Sequence, residues 1–192
     1  MAKASIEGAA GFSHHYPKLA TIVTASAKGK DNAMAVAWHS SISANPPLYG
    51  VSIASGRFTY ELLLQAGEFG INFMPIEKAE LIAAVGGSSG RLVDKFEKFG
   101  LEKETPLKTS VPILKDAYAS YECRLVDNKM YGDHVWVVGE ILATHFYEEL
   151  FTEKQGLALE RFAPALYLGA DQYTTVSRDI LKQLDRKVYE KV

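Results

Sequence analysis

The chain has 192 residues, 47% of them hydrophobic and 23% charged, with 21 basic and 23 acidic side chains and a formal net charge of -2. That length and balance suit one domain with its own core, and they exclude disorder, collagen-like repeats and coiled coil. Without a basic excess a nucleic-acid binder is not expected, and a single cysteine, Cys123, leaves no disulfide framework and no cysteine-built zinc site.

The first residues, Met1 to Gly8, carry a lysine but no following apolar run, so no signal peptide is expected. Every apolar stretch is broken within a few residues, too short for a bilayer span. A cytoplasmic location is the expectation.

Leu19 to Ala27 is small, β-branched and apolar and predicts a strand, followed by a turn over Lys28 to Asn32 and a second strand from Ala33 to Ala44. In that second run Met34, Val36, Trp38 and Ile42 share one face, while Ala33, Ala35, Ala37, His39, Ser41 and Ser43 share the other. The small face is open to close approach by something flat. Asn45-Pro46-Pro47 ends the run, since prolines lack a ladder donor. Leu48 to Ala54 predicts a buried strand, Thr59 to Gln65 a short helix stopped near Gly67, and Phe69, Ile71 and Phe73 a further strand.

Ile76 to Val85 predicts a helix stopped by Gly86-Gly87-Ser88-Ser89-Gly90. This run follows a helix and lacks the lysine-hydroxyl ending of a P-loop, so it reads as a helix stop rather than a phosphate cradle. Leu92, Val93, Phe96 and Phe99 recur at helical spacing before Gly100, and Glu102 to Pro112 is a polar loop. Ala117 to Leu125 alternates cleanly as a strand. A turn over Asn128 to Asp133 leads to a return strand from His134 to Tyr147 that is apolar on both faces, which places it under a helix, in a barrel wall or in a subunit interface. Short strands at Ala165 to Leu168 and Tyr173 to Val176 precede a last helix striped by Ile180, Leu181, Leu184 and Val188. The fold class is mainly β with helices (α+β). Residues 1–176 read as the domain and 177–192 as an amphipathic helical extension.

No Gly-x-Gly-x-x-Gly or His-Glu-x-x-His is present, and no Gly-x-Ser-x-Gly elbow is expected, since the run Gly86 to Gly90 follows a helix and not a strand. The five histidines lack metal-site spacing, and Cys123 sits on the apolar face of its strand as a core thiol. Two segments can carry chemistry. Ser55-Gly56-Arg57-Phe58-Thr59 puts two hydroxyls and a guanidinium where a strand hands over to a helix. It can bind an anion, or merely cap the helix with Arg57 in solvent. Gly132-Asp133-His134 can be a plain turn or can set His134 beside a pocket.

Read in order, these segments resemble the flavin reductase-like family, the FMN-binding split-barrel group that includes flavoredoxins. The resemblance covers about residues 12–176. It is carried by Asn32-Ala33-Met34 with Trp38, by Ser43-Ala44-Asn45-Pro46-Pro47-Leu48 and by Ser55-Gly56-Arg57-Phe58-Thr59-Tyr60. Gly67-Glu68-Phe69-Gly70-Ile71-Asn72 and Asp94-Lys95-Phe96 continue it, followed by Gly132-Asp133-His134 with Val138-Gly139-Glu140, and by Pro164-Ala165-Leu166-Tyr167-Leu168-Gly169.

The resemblance implies a Greek-key split-barrel homodimer with FMN at the subunit interface. Ala37, Trp38, His39, Ser40 and Ser41 would line the isoalloxazine, although His39 beside the ring has no assigned role. Ser55, Arg57 and Thr59 would hold the phosphate, Lys95 with Phe96 would sit near the flavin, and Phe162 would pack on it. His134 would serve nicotinamide access in an NAD(P)H-dependent reductase. The alternative is a flavoredoxin-type electron carrier for a partner protein, without its own NAD(P)H activity.

Overall fold

The computed structural model describes residues 1–9, 11–152, 156–182 and 184. Its strands are β1 (Lys18–Leu19), β2 (Thr21–Ala27), β3 (Lys30–Val36), β4 (His39–Ala44), β5 (Pro47–Ala54), β6 (Glu68–Phe73), β7 (Lys103–Glu104), β8 (Ile113–Leu114), β9 (Ala119–Tyr131), β10 (His134–Phe146), β11 (Leu166–Gly169) and β12 (Gln172–Thr174). Three helices join them: α1 (Phe58–Ala66), α2 (Ala79–Gly86) and α3 (Lys95–Phe99). Mainly β with a few helices is the class expected.

The principal sheet has seven antiparallel strands in the order β3-β2-β6-β9-β10-β5-β4. β2 and β3 form a two-residue hairpin in which Lys28 (φ 53°) and Gly29 (φ 72°) both take the left-handed conformation that matches strand twist. The sheet's two edges, β3 and β4, are consecutive in the chain. The expected single strand from Ala33 to Ala44 is therefore two strands, and Ala37 and Trp38 carry the chain from one edge of the sheet to the other. Alternation alone cannot reveal such a break, because the pattern of bulky and small residues continues through it.

β2 is buried on both faces and feeds two cores. Val23 packs with Ile53, Leu63, Phe69, Ile71 and Val137 inside the rolled sheet. Ile22 packs with Met74, Ile82, Val85, Phe96 and Leu114 beneath α2 and α3. Cys123 is fully buried in the first core and burial raises its thiol pKa, as suits a packing residue.

Two further expectations are corrected. Leu92 and Val93 lie outside α3, and Leu92 is exposed: Asp94 caps the helix by accepting from the amides of Phe96 (2.9 Å) and Glu97 (3.1 Å), so the helix starts after it. β9 and β10 run on to Tyr131 and from His134, shortening the expected turn to Gly132-Asp133. β10 is buried on one face only, through Val135 and Val137. On the other face Trp136, Val138 and Leu142 are half-buried within the chain.

The last helix expected is represented by a single 3-10 turn at Arg178–Ile180. Most of that segment, including Val188, lies outside the described residues. Among the described residues no helix is long and apolar enough to cross a membrane.

Candidate functional site

A cleft of about 310 Å³ opens along the free edge of β3, between β3, the end of β5, the start of α1 and the loop after α2. Its floor is the small-residue run Ala35-Val36-Ala37, with Ser52 and Ala54 from β5 beside it. One end is basic and polar; the other is aromatic.

At the basic end Arg57 opens α1. No side chain caps that helix, and its first two residues, Phe58 and Thr59, line the cleft at the positive end of the helix dipole. The guanidinium makes no ion pair among the described residues. Thr59, in the first turn, is buried, and its hydroxyl accepts from Asn32 Nδ2 at 2.9 Å. Lys95 at the start of α3 is 3% exposed, and its Nζ donates to the carbonyls of Ala33 (2.9 Å) and Val85 (2.7 Å). Two carbonyls do not neutralise a buried ammonium, and no carboxylate pairs with it among the described residues. Burial, helped by the nearby Arg57 charge, lowers its pKa to about 8.

The loop Gly86 to Arg91 completes this end. Gly86, Ser88, Ser89, Gly90 and Arg91 line the cleft, with Arg91 paired to Glu61 at 2.8 Å and lying over the Phe58 ring at 5.2 Å. Gly86 to Gly90, expected as a helix stop, ends α2 and also forms a wall of the site, because the fold lays this loop against the start of α1.

At the aromatic end Trp38 stands 5.0 Å from the His134 ring, tilted by 45°, and its Nε1 donates to Tyr16 Oη at 3.1 Å. Tyr167 joins this wall. His134 Nδ1 is 2.7 Å from Asp133 Oδ1, which fixes the ring's tilt, and the contact lowers the Asp133 pKa. Tyr16 carries no motif in the sequence, and Tyr167 belongs to the Pro164 to Gly169 segment of the resemblance without a site role there; tertiary packing brings both to the cleft.

Of the candidate residues, the structure brings Ala37, Trp38, Arg57, Thr59, Lys95 and His134 to one cleft. It does not bring the others there within a single chain. His39 turns inward, with its nitrogens 2.7 Å from Tyr49 Oη and 2.7 Å from the Leu19 carbonyl, and burial lowers its pKa. Ser40 and Ser41 lie exposed on β4, and Ser55 is exposed at the end of β5. Phe96 is buried in the second core, and Phe162 packs on Tyr118 with ring centroids 4.4 Å apart.

Residues 13–177 match the flavin reductase like domain. The chain belongs to the flavin reductase-like family. Its fold is the split barrel of that family. An FMN-binding protein of Thermus thermophilus, solved with bound 1-cyclohex-2-enone, is 33% identical and superimposes with a TM-score of 0.83 over 95% of this chain and 98% of that one. A flavoredoxin of Methanosarcina acetivorans is 30% identical, with a TM-score of 0.80 over 92% of each chain. A relative in Aeropyrum pernix is 31% identical over 156 residues, which is 80% of this chain; the chain spans 58% of that protein's length.

Proposed function

We propose that the protein is an FMN-binding flavoprotein that acts as an NAD(P)H-dependent flavin reductase-like oxidoreductase, with the flavin held in the cleft along β3. The observation that carries the cofactor half is Lys95, a buried cation with no acidic partner among the described residues, lining the same end of the cleft as Arg57 and the uncapped start of α1. Buried charges are paired or await a partner, and this donor set fits one dianionic phosphate. A mononucleotide matches a cleft whose cations gather at one end only.

In this reading Arg57, Lys95 and Thr59 hold the phosphate, Ala35 to Ala37 let a flat ring lie close on the backbone, and Trp38 shields one edge from water. When bound, FMN supplies hydride and electron transfer at its ring. His134, at the open aromatic end and oriented by Asp133, stands where a nicotinamide would enter. The family name and the Thermus thermophilus FMN-binding protein support the reading; the likeness to a flavoredoxin supports the second one, an electron carrier served by a partner protein.

The homodimer belongs to the same proposal. Trp136 and Ile42 close over Gly50 on the outer face of β10, β5 and β4, where Ile42 is 44% exposed. A second copy seated there would bury that apolar face. Sedimentation at micromolar concentration tests it, and a monomer overturns it.

An absorbance spectrum of the purified protein, before and after anaerobic NADH or NADPH, tests the function. A yellow protein bleached by either nucleotide supports the reductase. A yellow protein left unbleached is the carrier. A colourless protein that neither binds nor quenches added FMN overturns both.

A further inference from the structure

We infer that Asn32 is a positioning residue that turns the Thr59 hydroxyl into a hydrogen-bond donor for the ligand's anionic group; this rests on the flavin reading above. Asn32 is 2% exposed on β3 and Thr59 is 1% exposed in the first turn of α1, and both border the basic end of the cleft. The contact between them is the 2.9 Å bond from Asn32 Nδ2 to Thr59 Oγ1. Having accepted that bond, the Thr59 hydroxyl keeps its own proton, and no acceptor for it is present among the described residues. Asn32 Oδ1 is buried with no partner.

Proton bookkeeping leaves the pair a spare donor whichever way the amide is turned, and in the orientation seen that donor is Thr59. The amide and hydroxyl together carry more protons than their mutual bond uses. With the amide rotated end for end, Thr59 would donate to Oδ1 and the NH₂ group would be the spare donor. Either way the pair offers a donor and asks for an acceptor, beside a buried ammonium and a guanidinium that ask for the same thing.

The loop opposite has been shaped to admit this side chain. A Cβ on Gly90 would lie 2.0 Å from Asn32 Oδ1 and 2.5 Å from its Cγ, so no larger residue fits there while Asn32 holds its place. Gly90 thus serves the pair rather than only the end of α2. The specificity that follows is for a phosphorylated flavin over its dephosphorylated form.

The experiment compares FMN with riboflavin in fluorescence titrations of the wild-type protein, Asn32→Asp, Thr59→Val and Thr59→Ser. Asn32→Asp keeps the shape but leaves only the hydroxyl proton, which the new carboxylate takes. Losing one charge-assisted donor predicts FMN binding about tenfold or more weaker in Asn32→Asp and Thr59→Val. Thr59→Ser should keep FMN affinity, and riboflavin affinity should change by less than about threefold throughout. Asn32→Ala combined with Thr59→Val should bind FMN no worse than Thr59→Val alone, because one acts through the other. Equal losses for FMN and riboflavin, additive losses in the double variant, or unchanged FMN affinity in Asn32→Asp would overturn the inference while leaving flavin binding intact. A wild-type protein that binds neither flavin overturns the flavin reading and this inference with it.

Discussion

Two buried charges in this molecule are treated in opposite ways. Glu122 on β9 is fully buried, and its carboxylate accepts five hydrogen bonds. They come from the amides of Leu107 (2.6 Å), Lys108 (2.8 Å) and Thr109 (2.6 Å), from the Thr109 hydroxyl (2.9 Å) and from His145 Nε2 (2.6 Å). Burial pushes this carboxyl up, but those bonds outweigh it and hold its pKa at about 2. Lys95 has two carbonyls and, among the described residues, no acid. The saturated charge pins the loop from 106 to 110 onto the sheet. The under-satisfied one lines a cleft. A buried charge therefore has a structural role where its partners are complete, and points to a ligand where they are not.

The largest test of this contrast is Glu122→Ala. It strands five donors and should cost about 3–5 kcal/mol of stability in urea unfolding, with FMN affinity unchanged. If that variant unfolds no more easily, the carboxylate is not the pin. Lys95→Met should do the reverse. Removing an uncompensated buried charge should leave stability equal or higher, while FMN binding weakens by about 1.5–3 kcal/mol in the same titration. Arg57→Ala should leave the fold intact and weaken FMN within that same range, about 1.5–3 kcal/mol, toward its lower end because the side chain is exposed. An unchanged dissociation constant would remove Arg57 from the phosphate site.

Titration separates the two charges further. Glu122 has a depressed folded pKa, so its stabilisation is present above about 4.5 and is lost as pH falls toward about 2. Lys95 also has a depressed folded pKa, but as a cation. Between about 8 and 10.5 the unfolded chain keeps a proton that the ligand-free folded chain has released, so stability rises with pH across that window. A bound phosphate should reverse this preference by restoring the charge. FMN should then bind with proton uptake near pH 8 and more weakly above it, and calorimetry in buffers of different ionisation enthalpy checks the sign. The smallest expected effect is kinetic: His134→Ala should slow nicotinamide-driven reduction more than it weakens FMN, and equal stopped-flow rates would sink that role.

Much of the fold was legible because its signals are local. Apolar alternation marked β6 and β9, continuous apolar runs marked β2, β5 and β10, and left-handed glycines marked the ends of α1 and α3. Half of the site was legible for the same reason, since Arg57 and Thr59 sit at a strand-to-helix junction that a single segment displays. What stayed hidden depends on which segments meet. Lys95 enters only through the Asp94-Lys95-Phe96 resemblance, because its burial arises when α3 packs against the Ala33 carbonyl. Gly90 and Ser88 read as loop until that loop lies across from α1. The resemblance sets both Trp38 and His39 along the ring, yet the break between β3 and β4 sends His39 inward to Tyr49 and Trp38 to the cleft.

That break has a mechanical consequence. Because β3 and β4 are the two margins of a single rolled sheet, the ladder of backbone hydrogen bonds ends along β3 in a seam, and the cleft lies in it with Ser52 and Ala54 of β5 across the opening. A molecule bound there bridges β3 and β5, which are not paired with each other. Its arrival should be felt as stiffening along the whole seam, and slowed amide exchange in β3 and β5 would be its signature at positions the ligand never touches.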